Sequence, residues 1–337
     1  MENQKKKKQT RELRLLALEH TAEIVFASLF AGGGGSSKGY HMAGLKEVLA
    51  IEWDKHARKV FEANFPDVPV RNADISQLTG EEFLKMMNLK RGELDVFDAS
   101  PPCQAFSRSN TSRKTGDSRN SLYFNTLNLI NEAQPKVFVI ENVEGMRMGK
   151  MKKVWNQIVR ILKLMNYYVE FKIVKAEEYS VPQKRRRLIM VGVRLDIQRQ
   201  FGITGLFPEP NLANVPNMAI NKVLPYIFGY SPGQFQDKFT FASEPMCTIT
   251  KTASAWVYDK DGMRRKPTID ELKVLSSFPK DFKLFGSFTA QWARIGNAVP
   301  PNITKAIGLH IRNHILTKQV MDWCNHQRND SAFKMAA

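Results

Sequence analysis

Apolar and polar positions follow one another along most of the chain in blocks that suit strands and helices by turns. Ile24–Ala31 is an apolar run broken only by Ser28, followed by the glycines 32–35 and a helical pattern to Leu45. Glu47–Ile51 reads as a second strand and Lys55–Asn64 as a helix. Leu94–Ala99 is a further strand, Leu122–Ala133 a helix and Val137–Glu141 a strand. Met151–Met165 has helical spacing, and Tyr168–Val174 and Leu188–Val193 are strand-like. Short apolar runs alternating with helices of ten or so residues predict an α/β fold, a doubly wound, mostly parallel sheet.

The texture changes after Arg194. Glycine and proline interrupt short apolar runs over residues 196–264, which predicts a separate small module of strands and loops. Helical patterns resume at Pro267–Leu275 and Pro301–Ile315. The chain is therefore expected to divide into five parts: a basic extension over 1–20, helical at Arg11–Leu18; an α/β domain over 21–195; the small module over 196–264; a return to the first domain over 265–325; and a polar tail over 326–337 that frays.

Composition narrows the class. The 337 residues suffice for a large core plus a smaller one. The longest apolar run is far too short to span a bilayer, and Lys5–Lys8 lack the apolar stretch of an export signal. Cys103, Cys247 and Cys324 are scattered, with neither metal-ligand spacing nor a disulfide framework, so a reducing cytoplasmic setting and no metal are expected. Fifty Lys and Arg against 33 Asp and Glu leave a net charge of +17. That balance favours a polyanionic partner, nucleic acid being the usual one.

Five segments carry candidate chemistry. Phe30-Ala31-Gly32-Gly33-Gly34-Gly35 is a glycine loop between a strand and a helix, where backbone can turn sharply against a ligand. The dinucleotide register G-x-G-x-x-G fails, because its last position is Ser37 counted from Gly32 and Lys38 counted from Gly33; a nicotinamide oxidoreductase is disfavoured. Glu52, at the end of the next strand, is placed to accept hydrogen bonds from ribose hydroxyls; Trp53 could stack on adenine and Asp74 read its amino group. Ser100-Pro101-Pro102-Cys103-Gln104 leaves a strand end on two stiff residues, with Arg108, Arg113, Lys114 and Arg119 downstream to favour a thiolate. Glu141-Asn142-Val143, Gln183–Arg187 and Gly296-Asn297-Ala298-Val299 complete the set. Singly, each has an ordinary structural explanation: a tight turn, a buried cysteine, a solvated acid.

In their order along the chain, Phe30–Gly35, Glu52–Asp54, Asp74-Ile75, Pro101–Gln104, Glu141–Val143, Gln183–Arg187 and Gly296–Val299 resemble the cytosine-C5 DNA methyltransferase family, and within it small bacterial and phage modification methylases. The resemblance covers about 22–195 and 265–312. It implies S-adenosylmethionine as cofactor, held by Phe30, Gly32, Gly34, Glu52, Trp53, Asp74, Ile75, Pro102, Asn297 and Ala298, and makes 196–264 the target-recognition domain. Two departures stand out: Ser28 where the family usually has Asp, and Arg294 where it often has Gln ahead of the Gly–Asn turn.

The implied chemistry accounts for the residue types. Cys103 adds to cytosine C6, Glu141 in its acid form donates to N3, Arg187 holds O2, and Arg185 orients Glu141. The target base must leave the duplex, at a few kcal/mol of stacking and pairing. A polar loop from Gln104 to Arg119 is suited to close over it, with Gln104, Ser107, Arg108, Arg113 and Arg119, together with Asn142 and Thr250, as candidate DNA contacts. Double-stranded DNA is the expected partner of a monomeric enzyme, beside a possible cognate restriction endonuclease that forms no stable complex with it. The rivals are a tRNA cytosine methyltransferase and a non-catalytic DNA-binding protein on the same fold.

Overall fold

A computed structural model describes residues 23–102, 119–210, 218–232 and 239–336. Eight strands come first along the chain: β1 Val25–Leu29, β2 Lys46–Ile51, β3 Val70–Arg71, β4 Val96–Ala99, β5 Val137–Asn142, β6 Tyr167–Lys175, β7 Gln183–Lys184 and β8 Arg186–Arg194. All but β7 form one sheet in the order β3-β2-β1-β4-β5-β8-β6. Its pairings are parallel from β3 to β5, and β8 runs antiparallel to both of its neighbours. Every residue of β4 is buried, as expected of a central parallel strand covered on both faces.

The helices, in chain order, are α1 Gly35–Met42, α2 Lys55–Asn64, α3 Gly80–Lys85, α4 Arg119–Ala133, α5 Lys152–Leu164, α6 Leu195–Phe201, α7 Ile220–Val223, α8 Ile269–Leu275, α9 Phe288–Asn297, α10 Pro301–His310 and α11 Lys318–Ala336. Phe26 and Val191 of the sheet pack with Tyr40, Ile303, Ile307 and Met321 on one face. On the other face Phe97 and Phe138 meet Phe83, Leu127, Ile130 and Ile158. Ion-paired Lys136 and Asp95 are buried at the amino ends of β5 and β4, and Val25 N donates to Asp95 at 2.8 Å. This cluster ties three strand starts together and leaves the opposite, carboxyl ends for ligands.

Five further strands are β9 Ile227–Ser231, β10 Thr240–Phe241, β11 Met246–Cys247, β12 Trp256–Asp259 and β13 Arg264–Arg265. Four of them make a small antiparallel sheet ordered β10-β9-β12-β13. Its Tyr230 and Val257 share a core with Val60 and Phe61 of α2, Leu272 of α8 and Trp292 of α9. Ile197, Ile203, Leu206 and Phe207 still pack in the core of the large sheet, although they lie beyond Arg194. The last helix runs to Ala336, through the stretch whose polarity suggests fraying. The predicted helix at Arg11–Leu18 lies outside the described residues.

Candidate active site

The carboxyl ends of β1, β2, β4 and β5 meet around one cleft. Leaving β1, the backbone enters the left-handed region at Phe30 (φ +57°) and Gly32 (φ +58°). A bulky residue held at positive φ is uncommon and marks a turn imposed by its surroundings. Glu52 fixes this turn, one carboxylate oxygen accepting from Gly32 N and the other from Asp54 N, both at 2.7 Å. A Cβ on Gly35 would lie 2.7 Å from the Val299 carbonyl, so the loop is pressed against the Gly296–Val299 turn. Phe30, Gly32, Ser36, Asp98, Asn297 and Ala298 line the pocket between them. Nothing lies within 4 Å of the Cβ position of Gly32, so the loop opens there onto free space.

Glu141 closes the far side. Its Oε1 lies 2.7 Å from Arg187 Nε, and the two side chains are only 16% and 15% exposed. The neighbouring Asn142 is buried; its Nδ2 donates to the Pro101 carbonyl at 3.5 Å and its Oδ1 accepts from Val143 N at 2.8 Å. The Pro101-Pro102 turn that leads into Cys103 is thus tied to the strand end carrying Glu141. Cys103 itself, with Gln104, Ser107, Arg108 and Arg113, lies outside the described residues.

Across the cleft, β7 pairs with β11, aligning Gln183 with Met246 and Lys184 with Cys247. Gln183 accepts from Ile249 N at 3.1 Å and donates to Ser276 Oγ at 3.1 Å. Arg185, 2% exposed, donates to the carbonyls of Ile249, Gly296 and Ala298 at 2.8–3.0 Å. One guanidinium therefore joins the β7–β8 connection to the 248–250 segment and the Gly296–Val299 turn.

The model of the C-5 cytosine-specific DNA methylase family matches residues 24–244 and 236–313. The chain belongs to this family. The methylase is 28% identical over 331 residues to the type II methyltransferase M1.HphI of Haemophilus parahaemolyticus, spanning 86% of this chain and 87% of that one. It is 31% identical over 316 residues to M.NgoFVII of Neisseria gonorrhoeae, covering 81% and 82%. In fold it resembles a prophage-encoded protein from E. coli described as a DNA modification methyltransferase (TM-score 0.69, 21% identity, 87% and 99% covered) and the Dnmt2 methyltransferase of S. pombe (TM-score 0.64, 18% identity, 86% and 98%).

The expected site residues fall in different settings. The guanidinium 2.7 Å from Glu141 is that of Arg187, and Arg185 donates to three backbone carbonyls. Asn142 is buried, bonded to the Pro101 carbonyl and to Val143 N. Gly34 (φ +89°) caps α1, and a Cβ there would meet Phe65 at 2.3 Å, so the turn requires glycine at this position. Ile75 is buried in the core with α3 and α4. Trp53 is 68% exposed, and exposed Asp74 accepts from Ser76 N at 2.9 Å. Thr250 is exposed; its hydroxyl donates to Thr252 O at 3.3 Å and its carbonyl accepts from Trp292 Nε1 at 2.9 Å. Arg119 opens α4.

Asp98, Ser36 and Arg294 line the pocket but were not singled out as ligands. Asp98 had a signal: it is a lone acid in an apolar strand that both faces of the sheet bury. Arg294 donates to Asp54 at 3.0 Å, joining α9 to the start of α2.

Replacing Arg185 by Met should lower the unfolding free energy by at least about 3 kcal/mol, since each buried carbonyl left without a donor costs about 1–3 kcal/mol. Arg185→Lys should rescue little, because an ammonium is a point donor and lacks the planar fork that spans three acceptors. Urea titration followed by circular dichroism checks this; an unchanged midpoint for both variants rules out the bracing role.

Proposed function

We propose that this methylase transfers a methyl group from S-adenosylmethionine to C5 of a flipped-out cytosine in a short duplex DNA sequence, through a covalent Cys103–C6 adduct. The observation that carries the reading is the Arg187–Glu141 pair, held beside the Pro101-Pro102 turn that delivers Cys103.

Aromatic C5 is a poor nucleophile. Attack of the Cys103 thiolate on C6 forms a carbon–sulfur bond and pushes an electron pair through the ring, while Glu141 protonates N3; C5 becomes an enamine carbon. Arg187 fixes the Glu141 carboxyl and adds a positive charge beside the cytosine O2. Once C5 is substituted, loss of its proton to a base restores the C5–C6 double bond and expels the thiolate, while N3 returns its proton to Glu141. The residues present fit the cofactor: a glycine turn open at Gly32, Glu52 at the end of β2 for ribose hydroxyls, and a pocket closed by Asn297 and Ala298. When bound there, S-adenosylmethionine supplies an electrophilic methyl group. Trp53, Asp74 and Ile75 would hold the adenine, and Pro102 would separate the cofactor from the target base.

Base reading belongs to the small sheet, the recognition unit. Trp256 there carries Arg264 over its ring at 4.5 Å and Lys266 at 3.8 Å, a cationic and aromatic surface suited to a nucleic acid. The loop from Gln104 to Arg119 and Thr250 would grip the strand around the extruded base. The relatives' type II designation supports a modification role in a restriction–modification setting; the enzyme would act in the cytoplasm as a monomer. Bisulfite sequencing of duplex DNA incubated with the protein and cofactor should show one short methylated motif; conversion protection on tRNA alone overturns the DNA assignment.

A further inference from the structure

Asp98 is a buried acid for which the mechanism above has no use. It is 3% exposed, in a strand buried throughout, yet it lines the pocket shared with Phe30 and Asn297. Its carboxylate accepts from Ser36 Oγ at 2.7 Å and Tyr40 Oη at 3.0 Å, both neutral donors on α1. The charges bearing on it from β2 and β5 are those of two more acids, Glu47 and Glu141. Arg294, on another wall of the pocket, keeps its guanidinium on Asp54. His41 is likewise committed, 3.1 Å from Glu47. Burial lifts Asp98 to about 7, so the free protein holds this acid half-ionised at neutral pH. A carboxylate placed this way among the described residues is poised for a cation brought by the ligand.

A second observation lies one strand away. The in-register neighbour of Asp98 on β1 is Ser28, the position where the family usually has Asp. Here Ser28 donates to Glu47, and the acid facing the pocket stands on β4.

We propose that Asp98 is the counter-ion for the α-ammonium group of the cofactor's amino-acid end. The inference rests on S-adenosylmethionine being the cofactor. Of the two cations that molecule carries, the ammonium has N–H donors to give a carboxylate, whereas the sulfonium has none and must stay open to the cytosine. Asp98 would thus bind the cofactor and take no part in the proton transfers.

Calorimetric titration tests it without any turnover. Wild-type protein should bind S-adenosylmethionine and S-adenosylhomocysteine, both of which carry the ammonium. Asp98→Asn should weaken both by about ten- to a hundredfold, the size of a lost charge-assisted hydrogen bond. Affinity for methylthioadenosine, which lacks the amino-acid end, should not change. Because only ionised Asp98 pairs with the cation, wild-type affinity for S-adenosylhomocysteine should fall as pH drops from about 8 to about 6, by up to tenfold per unit below the free acid's range. That slope should be absent for methylthioadenosine, a comparison that needs no variant and stands even if Asp98→Asn folds poorly. Equal affinities in the two proteins, a loss confined to S-adenosylmethionine, or a matching slope for methylthioadenosine overturns the proposal. Absence of wild-type binding to any of the three would instead overturn the cofactor reading.

Discussion

Replacing Cys103 with serine should abolish methyl transfer, by at least about a thousandfold, while DNA binding stays within a few-fold of wild type. Addition to C6 needs an anion that is both abundant at neutral pH and polarisable, and a serine hydroxyl is ionised too rarely to serve. The other two cysteines cannot substitute. Burial pushes the Cys247 thiol up to about 11, and burial also raises Cys324, so neither offers a thiolate near pH 7. Cys247 lies on β11, paired with Lys184, and Cys324 is packed in the core against the large sheet. Two measurements check the prediction: transfer of a tritiated methyl group to duplex DNA, and covalent capture by an oligonucleotide carrying 5-fluorocytosine in the recognition motif. Wild type should form the captured adduct and Cys103→Ser should not. Near-normal turnover by the serine variant would remove Cys103 from the mechanism.

The parts of the fold that were legible share one cause. β1, β4 and β5 lie inside the sheet with helices on both faces, so their sequences are apolar runs interrupted within β1 and β4 only by Ser28 and Asp98. The order of the functional segments was legible for a related reason: those at Phe30–Gly35, Glu52, Pro101–Cys103 and Glu141 sit where a strand ends, at the positions that ligands reach. What stayed hidden depends on contacts far along the chain. Arg185 and Arg187 are two residues apart and look equivalent, but Arg185 falls in the break between β7 and β8, and its acceptors lie 64 to 113 residues away. No local pattern reveals that one faces backbone carbonyls and the other Glu141. Gly34 belongs to a conspicuous glycine run, and only the position of Phe65 shows that its lack of a side chain serves packing. Helix α9 escaped the sequence reading because its buried residues Trp292 and Ile295 belong to the core that the small sheet shares with the edge of the large one. Asp98 was read as part of a strand, which it is; its second role comes from the helix and loop folded over the strand end.

Glu141→Gln should slow methyl transfer by about two to four orders of magnitude with little change in affinity for DNA or cofactor. The amide is nearly isosteric with the carboxyl group and its oxygen can still accept from Arg187 Nε, so the 2.7 Å contact has a counterpart in the variant. What disappears is a proton that can be delivered to N3 as the thiolate adds to C6. Without it, negative charge stays on the ring, the adduct reverts, and C5 gains little nucleophilicity. Arg187→Ala tests the other half of the pair. It should also slow the reaction, and it should lower the unfolding midpoint less than Arg185→Met, because one ion pair at the cleft is lost rather than a brace to three buried carbonyls. The contrast between neighbouring arginines separates catalysis from bracing. Single-turnover rates at saturating DNA, measured beside urea midpoints, give both readings from the same preparations. If Glu141→Gln transfers methyl groups within about fivefold of wild type, proton donation at N3 must come from elsewhere, and Glu141 is left only as the anchor that holds Arg187 over the cytosine.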